Sequence, residues 1–304
     1  YSSARVSIDD RTLATVIFRL GMGGTTKRAI LLSCGSFNPP TLAHLRMMEL
    51  ARDHLRSLPC PYTVVEGLFS PVSSTYVHKP LAEDEHRLAM LERATASSGW
   101  MRVDEWETRR GEWTRTKEVL RHHRAAARQR WSDDHLDCFL VCGGDLVDSF
   151  ARLLPDGSRL WAAEDVKAIV EEYGIVVITR DGSSPAATLA SFSLSLERAF
   201  TVSDRACPND VSSTRLREAL AEGRSIRYCT QDGVVDYILQ HGLYGSSKAK
   251  AAAAAVAAAG CASTGSVAAA AVAAGAAAKS PPLNGIQSEK TLQNRWLENG
   301  DAVP

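Results

Sequence analysis

Along this chain, short apolar runs alternate with longer amphipathic segments. Ala29-Ile30-Leu31-Leu32-Ser33-Cys34 is a continuous apolar run cut off by Gly35, the pattern of a strand buried on both faces. Leu42, Leu45, Met48 and Leu55 then recur at near-helical spacing, and Pro39-Pro40 reads as part of that helix's first turn, where proline is tolerated. Residues 62–69 predict a strand, 83–97 a helix, 101–106 a strand, 113–130 a helix and 138–142 a strand. Further on, 164–173 predicts a helix and 174–179 a strand. Residues 214–222 and 234–240 predict helices stopped by Gly223 and Gly242. Short apolar strands separated by helices build parallel βαβ units. The expectation is an α/β fold, a Rossmann-like doubly wound parallel sheet in a single domain with a small helical C-terminal part. Ligands of such sheets sit at the carboxyl ends of the strands, near the reversal of strand order.

The two ends depart from this pattern. Residues 1–27 show no clean period and close on Gly23-Gly24-Thr25-Thr26-Lys27, a poorly ordered lead-in. Gly21-Met22-Gly23-Gly24 hints at a dinucleotide fingerprint, but it precedes its strand and lacks the third glycine. Residues 246–304 form a low-complexity, Ala-rich tail without aromatic anchors until Trp296, expected to be disordered or transiently helical. Gly260, Ser263, Thr264, Gly265 and Ser266 interrupt it, so it does not read as a membrane span. The folded domain is expected over residues 28–245. The chain opens on Tyr1 rather than Met, which leaves a targeting segment open.

Charge narrows the partners. Among 304 residues, 35 are basic and 35 acidic, so the basic excess expected of a general nucleic-acid or anionic-membrane binder is missing. The seven cysteines (34, 60, 138, 142, 207, 229 and 261) include no C-x-x-C pair and no complementary His cluster. They read as buried, reduced thiols of an intracellular protein, in cytoplasm or nucleus. No metal site built from side chains is expected, and a homo-oligomer is compatible with the sequence.

Three stretches carry candidate chemistry. In Gly35-Ser36-Phe37-Asn38-Pro39-Pro40-Thr41-Leu42-Ala43-His44, a glycine ends a buried strand and lets the backbone approach a ligand. The backbone N–H groups and the dipole of the following helix favour phosphate, and Thr41 and His44, three apart, can face one anion. In Ser212-Ser213-Thr214-Arg215-Leu216-Arg217, the serines are helix-cap residues, but two arginines near a helix N-terminus are disfavoured unless an anion docks there. In Val141-Cys142-Gly143-Gly144-Asp145, a strand ends at paired glycines followed by an acid that can accept from sugar hydroxyls; an N-cap role for Asp145 is about as natural.

The stretch from Gly35 to Arg46, GSFNPPTLAHLR, resembles the signature of the nucleotidyltransferase superfamily with its T/H-x-x-H motif. In its Gly-Ser-Phe-Asn-Pro form it is most similar to eukaryotic nicotinamide/nicotinate mononucleotide adenylyltransferases. The resemblance spans residues 29–244. It implies that Gly35, Ser36, Phe37, Thr41, His44, Gly143, Asp145, Ser213, Thr214, Arg215 and Arg217 bind ATP, with His44 and Arg217 acting on the reacting phosphates. It further implies that Ser36, Phe37, Trp113, Thr116, Leu160, Trp161, Arg180 and Asn209 bind the mononucleotide, the two indoles around its pyridine ring. His78 stands where the family carries a phosphate-binding lysine, with Lys79 next to it. The implied reaction transfers the adenylyl group of ATP to nicotinamide mononucleotide, and to the nicotinate form, giving the dinucleotide and pyrophosphate. Magnesium enters with ATP. Two other readings stay open: a superfamily enzyme with another acceptor, such as phosphopantetheine or a sugar alcohol phosphate, and a nucleotide-binding scaffold without turnover.

Overall fold

A computed structural model of the protein describes residues 26–76, 80–179, 185–208 and 210–247. Six strands form one parallel sheet: β1 Lys27–Gly35, β2 Tyr62–Pro71, β3 Met101–Val103, β4 Asp137–Gly143, β5 Ile175–Thr179 and β6 Ala199–Ser203. Their spatial order is β3-β2-β1-β4-β5-β6, the doubly wound order, so the order in which strands are added reverses between β1 and β4. Gly35 and Gly143, the last residues of these neighbours, therefore flank the switch point.

The helices follow from the apolar spacing. They are α1 Leu42–Ser57, α2 Asp84–Thr95, α3 Trp106–Arg109, α4 Thr116–Trp131, α5 Gly144–Asp148, α6 Ala163–Lys167, α7 Pro185–Ala190, α8 Ser213–Ala221 and α9 Asp232–His241. Alternate residues of β1 feed opposite faces of the sheet, which explains its continuous apolar run. Ile30 and Leu32 join Val119, Leu120, Val166, Ile169 and Val170 on one side, while Ala29 and Leu31 join Met48, Ala51 and Leu55 of α1 on the other. Each fully buried Leu, Ile or Met contributes about 1.5–3 kcal/mol. In a third cluster, Met90 and Ala94 of α2 pack against Leu216 and Leu220 of α8 and Val234 and Ile238 of α9. This cluster carries α8, with its arginines, onto the sheet domain.

Several expected boundaries shift. β3 stops at Val103 and residues 106–109 are helical, because Asp104 Oδ1 accepts from the Trp106 N–H at 3.0 Å and turns the chain. Pro39 and Pro40 precede α1 instead of lying in its first turn; Thr41 is the N-cap and the Asn38–Pro39 peptide is cis. The helix expected from Trp113 begins at Thr116, leaving Trp113 in a loop and 52% exposed. Residues 168–173 continue α6 as a π-helical turn, stopped at Gly174 with φ 102°, where a Cβ would meet the Phe139 ring at 2.5 Å. The packed region also runs past residue 245: Ser246 is buried and donates to the Ile238 carbonyl at 3.2 Å. The expected lead-in (apart from Thr26 and Lys27), the Gly21–Gly24 run, and the tail from residue 248 lie outside the described residues.

Candidate active site

The junction between β1 and α1 is built from its own backbone. Phe37 adopts φ 44°, a left-handed conformation that costs a non-glycine residue about 1–2 kcal/mol. Its buried ring meets the edges of His44 (5.2 Å) and Phe69 (5.4 Å) and holds the turn. A Cβ on Gly35 would stand 3.2 Å from that ring, so a larger residue there would crowd it. At the start of α1 the Thr41 N–H donates to His44 Nδ1 at 3.0 Å, with the Thr41 hydroxyl 2.8 Å from the same nitrogen. A ring nitrogen that accepts from a backbone N–H carries no proton, so neutral His44 has its proton on Nε2. The imidazole is thereby fixed as a donor on its far side, in the first turn of a helix.

The second motif is fastened onto the first. Ser213 Oγ donates to the Pro39 carbonyl at 2.8 Å, and Arg217 Nη1 to the Asn38 carbonyl at 2.7 Å. Arg217 Nη2 also lies 3.4 Å from Thr214 Oγ1. Ser212, rather than Ser213, caps α8 by accepting from the Arg215 N–H at 3.3 Å. Arg215 is exposed and reaches the Asp210 carbonyl at 3.2 Å. Among the described residues, neither Arg215 nor Arg217 forms an ion pair with a carboxylate, so both positive charges are left for an anion. Thr230 Oγ1 donates to the Pro40 carbonyl at 2.9 Å and the Leu42 N–H to the Cys229 carbonyl at 3.0 Å, closing the same seam.

Gly143 is the N-cap of α5 and Asp145 lies, exposed, in that helix's first turn. A Cβ on Gly143 would meet nothing within 4 Å, so the protein itself does not demand glycine there. The expected pyridine pocket is assembled less directly. Arg115 and Lys117, which flank Thr116, both reach Asp165, at 3.4 and 3.3 Å, tying the start of α4 to the start of α6. Trp161 and Leu160, both half-buried, immediately precede α6. The Trp161 indole N–H donates to Ser149 Oγ at 3.0 Å and its ring packs edge-on to Phe150. Trp113 faces the Tyr76 ring at 6.4 Å. His78, Lys79, Arg180 and Asn209 lie outside the described residues.

Residues outside the expected set carry the site's framework. Asn38, buried, donates to the Pro80 carbonyl and accepts from the Ala82 N–H and the Tyr244 hydroxyl, the last at 2.6 Å. Arg87, fully buried, donates to the carbonyls of Ser36 (3.0 Å) and Ala82 (2.9 Å) and of Val72, and pairs with Asp84. Burial lowers the basicity of this guanidinium and Asp84 opposes the shift. Beside it, burial pushes the Glu107 carboxyl up to about 7, against a hydrogen bond from Ser70 Oγ at 2.8 Å. Trp100 and Trp106 are packing residues: Trp100 covers Gly67, and Trp106 stacks on His122 at 3.9 Å.

Two expectations about cysteine and metal meet the structure here. Cys138 and Cys142 are buried, and burial pushes the Cys138 thiol up to about 12, but Cys60 and Cys207 are exposed rather than buried. Cys261 lies outside the described residues. No group of three or more His, Cys, Asp or Glu side chains among the described residues could hold a metal, and no described helix is long and apolar enough to cross a membrane. The donors around the junction are N–H groups, an imidazole and guanidinium groups, which suit phosphate oxygens rather than a cation.

Comparison with known proteins agrees with this geometry. Residues 32–219 match the cytidylyltransferase-like family model. The chain is 48% identical over 222 residues to nicotinamide/nicotinic acid mononucleotide adenylyltransferase 2 of Caenorhabditis elegans, covering 72% of this chain and 98% of that protein. It is 38% identical over 233 residues to the Arabidopsis thaliana nicotinamide/nicotinic acid mononucleotide adenylyltransferase, covering 74% and 95%. Among solved structures, Plasmodium falciparum nicotinic acid mononucleotide adenylyltransferase complexed with NaAD has the same fold. Its TM-score is 0.51 at 21% identity, with 72% of this chain and 98% of that chain covered. With the switch-point junction, the arginine-bearing helix fastened to it and relatives matched over nearly their full length, the chain belongs to the eukaryotic nicotinamide/nicotinic acid mononucleotide adenylyltransferase family of cytidylyltransferase-like nucleotidyltransferases.

Proposed function

We propose that this protein transfers the adenylyl group of ATP to nicotinamide mononucleotide, and to nicotinate mononucleotide, in NAD biosynthesis. The observation that carries this reading is the join of the two phosphate-handling segments, Ser213 and Arg217 hydrogen-bonded to Pro39 and Asn38, in a chain 48% identical to a named mononucleotide adenylyltransferase.

An oxygen of the mononucleotide phosphate attacks the α-phosphorus of ATP. The new P–O bond forms in line as the bond from the α-phosphorus to the bridging oxygen of pyrophosphate breaks, and the electron pair leaves with pyrophosphate. The attacking phosphate is already anionic, so no side chain has to remove a proton, and catalysis is positioning plus charge stabilisation. His44 donates its Nε2 proton in a hydrogen bond to an α-phosphate oxygen as charge builds there, its ring held by Thr41. The N–H groups of Ser36 and Phe37 receive phosphate oxygens at the strand end, with Gly35 giving them room. Arg217, with Arg215, Ser213 and Thr214, neutralises the β- and γ-phosphates that become the leaving group. Asp145 accepts from the ribose of ATP, with Gly143 leaving space beside it. Trp113 and Trp161, with Thr116 and Leu160, flank the pyridine ring; the family resemblance assigns the mononucleotide's remaining contacts to His78, Arg180 and Asn209. Magnesium brought with ATP would supply further charge neutralisation; the donors of the junction suit phosphate oxygens, so such an ion would be held mainly by the nucleotide.

An acceptor panel tests the substrate class. With ATP fixed, both pyridine mononucleotides should release pyrophosphate, while phosphopantetheine and a sugar alcohol phosphate should not. Turnover with either of the latter in preference would assign the site to another acceptor.

A further inference from the structure

The Ser36–Phe37 peptide is the phosphate donor of this reading, and the Phe37 ring holds the turn without hydrogen-bonding the peptide itself. Arg87 bonds that peptide directly: its Nη1 donates to the Ser36 carbonyl at 3.0 Å from inside the protein. In a trans peptide the carbonyl and the following N–H point in opposite directions. A grip on the Ser36 carbonyl therefore turns the Phe37 N–H away from the buried guanidinium. The same guanidinium donates to the carbonyls of Val72, just after β2, and Ala82, just before α2. These are the two anchored ends of the segment that contains His78 and Lys79. One planar cation thus joins the phosphate turn to both ends of the segment bearing the expected mononucleotide contact. Asp84 pins it from the preceding turn of α2, and the Arg87 side chain is fully buried.

We infer that Arg87 is a positioning residue for the transfer, orienting the Ser36–Phe37 peptide and holding Val72 and Ala82 beside it without touching substrate. The inference rests on the adenylyl-transfer reading. Only a guanidinium carries donors spread widely enough to reach three carbonyls and a carboxylate at once; a lysine ammonium is a point donor. Arg87 also lies on the buried face of α2 with Met90, Leu91 and Ala94, where its charge has no reason to be unless those carbonyls require it.

The test compares Arg87→Lys and Arg87→Ala with the parent chain, following pyrophosphate release with ATP and mononucleotide varied separately. Misplacing a reacting group by about 1 Å costs on the order of 10²-fold, so kcat in folded Arg87→Lys should fall by tens- to a hundred-fold. The KM for ATP should move little, since Arg217 and Ser213 remain. Guanidinium ion at non-denaturing concentration should restore part of the activity of Arg87→Ala and none of that of Arg87→Lys. A folded Arg87→Lys with parental kcat overturns the inference. So does failure of both variants to fold, which would make the residue structural only, and so does a folded Arg87→Ala that guanidinium does not rescue. If the parent chain itself shows no turnover, it is the functional reading that fails.

Discussion

Replacing His44 with alanine removes two things at once, and the structure lets them be separated. The ring accepts the Thr41 N–H at 3.0 Å, a helix-cap interaction. It also presents the Nε2 proton that the mechanism assigns to the α-phosphate. Loss of a cap costs about 0.5–2 kcal/mol. For a domain of this size that lowers Tm by roughly 2–4 °C per kcal/mol. Loss of one donor to a developing oxyanion costs about 10²–10³-fold in kcat, or ~2.7–4 kcal/mol. His44→Ala should therefore melt a few degrees lower and lose at least two orders of magnitude of turnover at saturating substrates. His44→Asn separates the effects: its side-chain carbonyl can accept the Thr41 N–H, but its amide does not reach as far as Nε2. It should melt close to the parent and be as inactive as the alanine variant. Both are assayed by pyrophosphate release and thermal melting. A kcat within a few-fold of the parent in either folded variant would refute the role given to His44.

Arg217→Ala should act chiefly on ATP: losing a charged donor is worth about 1.5–3 kcal/mol, or roughly 10- to 100-fold in the KM for ATP, and an unchanged ATP dependence would contradict it. Gly67→Ala should destabilise by about 1–3 kcal/mol, because the new Cβ would stand 2.6 Å from Trp100, whose ring is held by Glu49 and Arg52; unaltered melting would count against this packing. Burial holds the Glu107 carboxyl at about 7, so the folded state keeps a proton that the unfolded chain releases near pH 4. Its contribution to stability is therefore lost as pH rises from the unfolded to the folded value. Glu107→Gln cannot ionise, so its stability relative to the parent should rise between about pH 4.5 and 7, by up to ~3 kcal/mol, and a pH-independent difference would show the carboxyl to be ordinary.

The strands most readily legible in the sequence are those buried on both faces. β1, β4 and β5 carry unbroken apolar runs because helices cover both sides of the sheet there. β6 was illegible for the converse reason: Ala199–Ser203 is a half-exposed edge strand whose residues show no strong pattern. β3 looks longer in sequence than it is because Asp104, which ends it by accepting from the Trp106 N–H, resembles one polar position in an alternating run. The candidate site residues stand out in the sequence because glycine, proline, histidine and arginine at a strand–helix junction are costly without a purpose. The framework beneath them was not. Arg87 reads as the polar side of a helix that begins Asp84-Glu85-His86, although its spacing of three, four and seven from Met90, Leu91 and Ala94 already places it on the apolar face. Asn38 lies inside the quoted motif, yet its bonds to Pro80, Ala82 and Tyr244 depend on contacts as distant as 206 residues along the chain, which no local pattern encodes.

The most direct test of the whole account is to mix the purified chain with ATP, magnesium and nicotinamide mononucleotide and to measure pyrophosphate and dinucleotide together. The account predicts equal amounts of the two, formed catalytically and abolished by omitting the mononucleotide. Nucleotide binding without either product, or pyrophosphate without dinucleotide, would contradict it.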